Sequence, residues 1–278
     1  MTTAALRSIR FPRVPAAAYL GVAILAAVLL CALASDMVAP YDPLAFDFMA
    51  LLQPPSWAHP FGTDQFGRDI LSRVIAAARI DLQIAFFATI GPLVFGSLVG
   101  LCVGYFGGVS DAVFGRVVDL VVTFPFLVLV IAIVAVLGPG LVNMYIAIGI
   151  AGWVFYARLM RAEVLVQRQN EYVAAARVLG YDTPRILFRH ILPNAIRPVL
   201  VYWVTDMALA ILLGSSLGYL GLGAQPPTAE WGVLVADGKN FFSQAPWMCF
   251  FPGLAIVLCG LGFSLTGDGL ADLLDVKR

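Results

Sequence analysis

Residues 171–194 read EYVAAARVLGYDTPRILFRHILPN, a polar island punctuated by glycine and proline between two apolar runs long enough to cross a bilayer. The stretch 163–179 lacks Pro and Gly and is rich in Ala, Arg, Leu and Gln, which predicts a helix. Gly180 ends it by supplying a left-handed residue. Thr183 before Pro184 predicts a second short helix to about residue 192, with the hydroxyl as N-cap and proline at the first helical position. Pro193 is expected to break or bend the chain as it returns to the next apolar run. Tyr172, Ala175, Ala176 and Leu179 share one face of the first helix, and Ile186, Leu187 and Ile191 one face of the second. Two short amphipathic helices around a glycine make a compact knob, and a knob between membrane spans needs a partner in water.

The flanking runs belong to a chain of 278 residues that is 61% hydrophobic and 12% charged, with mean hydropathy +0.91. Soluble domains carry about 25% charged residues, so this is an integral membrane protein. Lysine plus arginine equal aspartate plus glutamate, and net charge therefore points to no nucleic acid. Helices that span a core of about 30 Å need about 20 apolar residues, because every backbone polar group must be paired within the segment. Six stretches qualify: 16–33, 84–103, 117–137, 141–160, 199–220 and 247–265. Gly138-Pro139-Gly140 alone separates the third from the fourth and predicts a tight helical hairpin. The expected fold is all-α with six transmembrane helices.

Short loops rich in lysine and arginine stay in the cytoplasm. Arg7, Arg10 and Arg13 precede the first span, Arg116 follows the second, seven arginines lie between residues 158 and 197, and Lys277-Arg278 end the chain. Arg68, Arg73, Arg79 and Lys239 fall on the other side. Both termini and the island are thus expected in the cytoplasm. The N-terminal arginines, apolar run and Ala32-Leu33-Ala34 also suggest a cleavable signal, but the run exceeds a signal core of roughly 7–15 residues, which favours a retained anchor.

Ala174-Ala175-Ala176, Gly180 and Leu192-Pro193 resemble the "EAA" loop of ATP-binding-cassette importer permeases, in which such a knob docks into a cleft of the ATPase subunit. Ala174 stands where that motif has Glu, and His190 where it usually has Ile; Glu171 is the nearest carboxylate. The segment 60–82, PFGTDQFGRDILSRVIAAARIDL, resembles the G-T-D-x-x-G-R-D signature of the dipeptide, oligopeptide and nickel permease family. Residues 104–108 (GYFGG), 189–194 (RHILPN), 221–223 (GLG), 225–227 (QPP), Trp231-Gly232 and 267–270 (GDGL) agree with it, while Ala77 and Asp81 replace an expected Gly and Ser.

The resemblance implies a type I importer permease bundle with cytoplasmic coupling helices, in the multi-pass inner or plasma membrane of a prokaryote. Residues 1–15 form the cytoplasmic N-terminus, 16–38 the first transmembrane helix, 39–82 an extracytoplasmic segment with an amphipathic helix, and 83–278 a five-helix core with the loop at about 163–197. Glu171, Ala174, Ala175, Ala176, Gly180, Arg189, His190, Leu192 and Pro193 are its implied ATPase-coupling residues. A G-T-D type subunit implies a second, homologous permease as heterodimeric partner, two ATPase subunits and an extracytoplasmic solute-binding protein. ATP and magnesium would sit on the ATPases, with no cofactor on this chain. The implied function is passage of di- or oligopeptides, or a related solute, to the cytoplasm, without enzymatic activity. A six-helix channel or secondary transporter not coupled to ATP is the alternative, and a membrane anchor without transport a third.

In segment 60–82, Gly62 marks a turn and Thr63 or Asp64 an N-cap, with Phe66, Ile70, Val74 and Ala78 as an apolar stripe and Asp69–Arg73 as an i,i+4 pair. Gly96, Gly100, Gly104 and Gly108 recur every four residues, a spacing that suits close helix packing and also the lining of a pathway. Asp206 is the deepest ionisable group of the fifth span, and a hydrogen bond to another helix and a place on the translocation path are both open to it. Cys31, Cys102, Cys249 and Cys259 sit in apolar runs without metal spacing, and His59 and His190 are too isolated to bind a metal. The string from Gly232 to Lys239 fails as a P-loop, because its glycine spacing is one too long and Asn240 follows the lysine.

Overall fold

A computed structural model describes residues 15–274, so Arg7, Arg10, Arg13 and Lys277-Arg278 lie outside the described residues. Helices α1 (Ala16–Leu33) and α2 (Ser35–Val38) lead into an irregular segment, followed by α3 (Ile70–Phe106), α4 (Gly108–Val122), α5 (Phe126–Leu137) and α6 (Leu141–Gln167). Then come α7 (Glu171–Val178), α8 (Thr183–Arg185), a π-helical turn (Ile186–Ile191), α9 (Leu192–Tyr219), α10 (Trp231–Gly238), a 3₁₀ turn (Lys239–Phe241) and α11 (Trp247–Leu273). Among the described residues there is no strand beyond one isolated bridge between Thr63 and Asp69. Among the described residues, five helical segments are long and apolar enough to cross a bilayer. The bent pair α4 and α5 makes a sixth if counted as one span.

Two expectations change here. The segment before the second span does not end in a separate interfacial helix: α3 runs unbroken for 37 residues, and its N-cap is Asp69 rather than Thr63 or Asp64. Asp64 is drawn away by two arginines, which leaves Asp69 to accept the Ser72 N–H. The third span is not one straight helix either. It breaks at residues 123–125, where α4 and α5 meet at 86°. Pro125 cannot donate an N–H and disfavours α geometry in the residue before it, so α5 starts afresh behind it. The expected hairpin at Gly138-Pro139-Gly140 is present, with both glycines at positive φ.

The bundle is centred on α3 against α6, with α9 packed on both and α1 against α11 on the flank. Gly96 and Gly100 lie against the backbone carbonyls of Trp153 and Ala157, and a Cβ at Gly104 would stand 3.0 Å from that of Arg161. One row of carbonyls, every fourth residue along α6, thus receives one row of glycines, so the axes approach closely without a side chain between them. Gly108 does not continue the row. It has φ +60°, starts α4 after the kink at Gly107, and faces open space.

Candidate functional site

The polar island builds a knob at the end of the bundle where α6 finishes. The helix expected over 163–179 is two helices, because α6 stops at Gln167 and α7 restarts at Glu171 after the turn 168–170. Gly180 (φ +75°) closes α7 with both bonds of a Schellman turn: the Gly180 N–H donates to Arg177 O at 3.0 Å and the Tyr181 N–H to Ala176 O at 3.1 Å. Asp182, not Thr183, holds the N-cap position of α8, and neither α7 nor α8 has a side-chain cap. Pro193 neither breaks nor ends the helix. The chain passes from the π turn straight into α9, with proline in its first turn, where a missing N–H is tolerated.

The buried side of the knob is Val173 and Ala176 of α7 with Ile186, Leu187 and Ile191, packed on Met160 and Val164 of α6. The face expected on α7 therefore shifts by one position: Tyr172, Ala175 and Leu179 are exposed. Glu171, Ala174, Ala175, Arg177 and Arg189 also point to solvent, beside Val178 (87% exposed), Leu179 (68%) and Phe188 (51%). His190 is half-buried and stacks on Tyr181 at 5.6 Å, the Arg185 guanidinium lies 4.1 Å from the Tyr181 ring centre, Leu192 is half-buried and Pro193 exposed. The result is a rigid surface of apolar side chains and arginines.

Two contacts that no sequence spacing foretells tie the knob to the bundle, and a third joins α6 to α4. Arg168 Nη1 donates to Gly104 O at 3.0 Å, Arg177 lies 5.4 Å from the Tyr105 ring centre, and Arg161 grips Asp111 of α4 with two bonds at 2.5 and 2.7 Å. The knob thus reports to the end of α3.

The opposite end is a core of paired charges. Asp64 Oδ2 accepts from Arg68 Nε at 2.6 Å and from Arg73 Nη1 at 2.7 Å, and Asp237 of α10 lies 3.7 Å from Arg68 and 3.4 Å from Arg73. Asp69 makes no pair with Arg73; its oxygens take the Ser72 N–H and hydroxyl and the ring nitrogen Nδ1 of His59. The G-T-D-x-x-G-R-D stretch is therefore a clasp that joins the irregular segment to α3 and α10. Beneath it, Asp81 Oδ2 accepts the Trp231 N–H at 3.1 Å. Glu230 caps α10 through the N–H groups of Gly232 (2.7 Å) and Val233 (2.9 Å), and burial pushes its carboxyl up.

Between the two ends, Asp206 of α9 receives a hydrogen bond from the Tyr156 hydroxyl of α6, 2.6 Å to Oδ2. It also lines a cavity of ≈ 300 Å³ walled by Pro92, Phe126, Phe155, Tyr202 and Leu213. The helix-to-helix bond and the cavity position coexist.

Residues 92–278 match the family model described as the binding-protein-dependent transport system inner membrane component. The chain is similar to the dipeptide transport system permease protein DppC of Alkalihalophilus pseudofirmus, 45% identical over 81% of this chain and 74% of the relative. It is 43% identical to the probable D,D-dipeptide transport system permease protein DdpC of Escherichia coli, over 91% and 85% of the two chains. The glutathione transport system permease protein GsiD of Pectobacterium atrosepticum is 38% identical over 87% and 81%. These relatives are permease subunits and not enzymes. The all-helical bundle and these matches together place the chain in the family of binding-protein-dependent transport system inner membrane components, as a multi-pass permease.

Proposed function

We propose that the chain is one of two homologous permeases of an ATP-driven importer that moves di- or oligopeptides from an extracytoplasmic binding protein to the cytoplasm of a prokaryotic cell. The other permease completes the pathway, and two ATPase subunits hold ATP and magnesium. The knob is the part the ATPase touches, and it faces the cytoplasm together with both termini. The observation that carries this reading is the exposed surface of Glu171, Ala174, Ala175, Val178, Leu179 and Phe188 on a scaffold fixed to α6. A rigid apolar patch outside the membrane marks a protein contact. Peptide cargo is supported by the names of the relatives.

Movement follows from the contacts. A push on α7 reaches α3 through Arg168 and Arg177, and α6 through the buried side of the knob, so closure of the ATPases would tilt the two central helices together. Ala175→Arg tests the assignment, since the side chain is exposed and the fold does not depend on it. The variant should insert and pair with its partner permease normally, lose co-purifying ATPase, and cut ATP-driven peptide uptake at least about tenfold. Undiminished ATPase association and uptake would remove the knob from the coupling interface.

A further inference from the structure

We infer that Asp206 binds the protonated amino terminus of the cargo as it crosses, so that the peptide presents its ammonium end to this chain and its carboxylate end away from it. The inference rests on the peptide-importer reading. An ionisable group midway along a membrane helix is kept where it faces a cavity or a partner. Asp206 has the cavity, but among the described residues no lysine, arginine or histidine pairs with it. Tyr156 supplies a single donor, to Oδ2, and among the described residues no donor reaches Oδ1. Asp64, by contrast, has two arginines, and Glu230 two backbone N–H groups.

The cavity sets the chemistry of the missing partner. Its wall is apolar and aromatic apart from Asp206 and the Tyr202 hydroxyl, which makes the carboxylate the one anchor able to orient a ligand. A ligand that completes this site brings a cation with several N–H donors. A carboxylate or phosphate end would find only the Asp206 oxygens and an apolar wall, with no cation to receive it, and turn away. At ≈ 300 Å³ the space suits the first residue of a peptide rather than a whole chain.

The test uses the complete importer in proteoliposomes, with an alanyl dipeptide and its des-amino analogue, each at receptor-saturating concentration. Asp206→Asn keeps the shape and an acceptor for Tyr156 while removing the charge. It should lower dipeptide uptake about tenfold, the size of one lost charge-assisted hydrogen bond. The preference over the des-amino analogue should collapse, and Asp206→Glu should restore much of both. Unchanged uptake or unchanged preference in Asp206→Asn would overturn the assignment, showing that Asp206 carries a proton or a structural bond only. Loss of heterodimer assembly would overturn it too, because the cation would then come from the partner permease. Failure of the wild-type importer to move any peptide would instead refute the peptide reading on which the inference rests.

Discussion

The two ends of the bundle use charge in opposite ways. At the knob, Arg177 and Arg189 stand in solvent over a core of aliphatic side chains that packs α7 against α6. At the clasp, Arg68 and Arg73 are buried with Asp64, and they tie the irregular segment to α3 and α10. Buried charges that satisfy one another fix structure. Exposed charges on a rigid support wait for a partner.

If this contrast holds, the largest effect on stability comes from the clasp. Asp64→Ala leaves two buried guanidinium groups sharing only Asp237. Breaking a buried pair by removing one partner costs about 3–5 kcal/mol, and the lower end is expected because Asp237 remains. Thermal unfolding of the purified permease pair in detergent would show it. A melting temperature equal to wild type would mean that the clasp is not holding the segment and that the contrast between the ends is false.

A second measurement sharpens the same end. Glu230 is buried beside Asp81, and its carboxyl is raised above the ordinary 4.5 by burial. A carboxyl raised in the fold binds its proton more tightly folded than unfolded. It therefore adds stability that is complete below the unfolded value and is lost as pH rises through the folded one. The melting temperature of the wild type should fall as pH is raised from about 4.5, and Glu230→Gln should flatten that slope. A slope that survives the substitution would assign the titration to other groups.

The knob was the more legible of the two ends, for a physical reason. Its architecture is local: Gly180 reverses the chain, and Ile186, Leu187 and Ile191 fall on one face within a few residues. The boundary that escaped, between α6 and α7, lies at Arg168-Gln169-Asn170, where neither Gly nor Pro marks it. The clasp depends instead on partners far apart in the chain, since Arg73 and Asp237 are 164 residues apart, and local spacing suggested the wrong partner for Asp69. The break at Pro125 was visible as a proline but hidden by the apolar run around it. Asp206 could be picked out by its charge in an apolar helix, whereas its bond to Tyr156 across 50 residues could not. Of the glycines spaced by four, packing claims the first three, and Gly108 belongs to a turn.

The smallest expected change in stability is at the knob, and there it discriminates most. Ala174 is exposed on α7, where the loop it resembles carries the glutamate for which it is named. Ala174→Glu should leave the melting temperature nearly unchanged, because an exposed helical substitution stays within about 0.5 kcal/mol. Its carboxylate lies one turn from Glu171 and three residues before Arg177, so local repulsion and attraction nearly cancel. Binding is another matter. If the ATPase cleft retains a cation for this position, affinity measured on immobilised importer should rise and weaken again with salt. If it has adapted to alanine, the added charge is desolvated without a partner and affinity falls. A shift in either direction at constant stability places Ala174 in the contact, whereas no shift at all would move the contact towards Val178, Leu179 and Phe188.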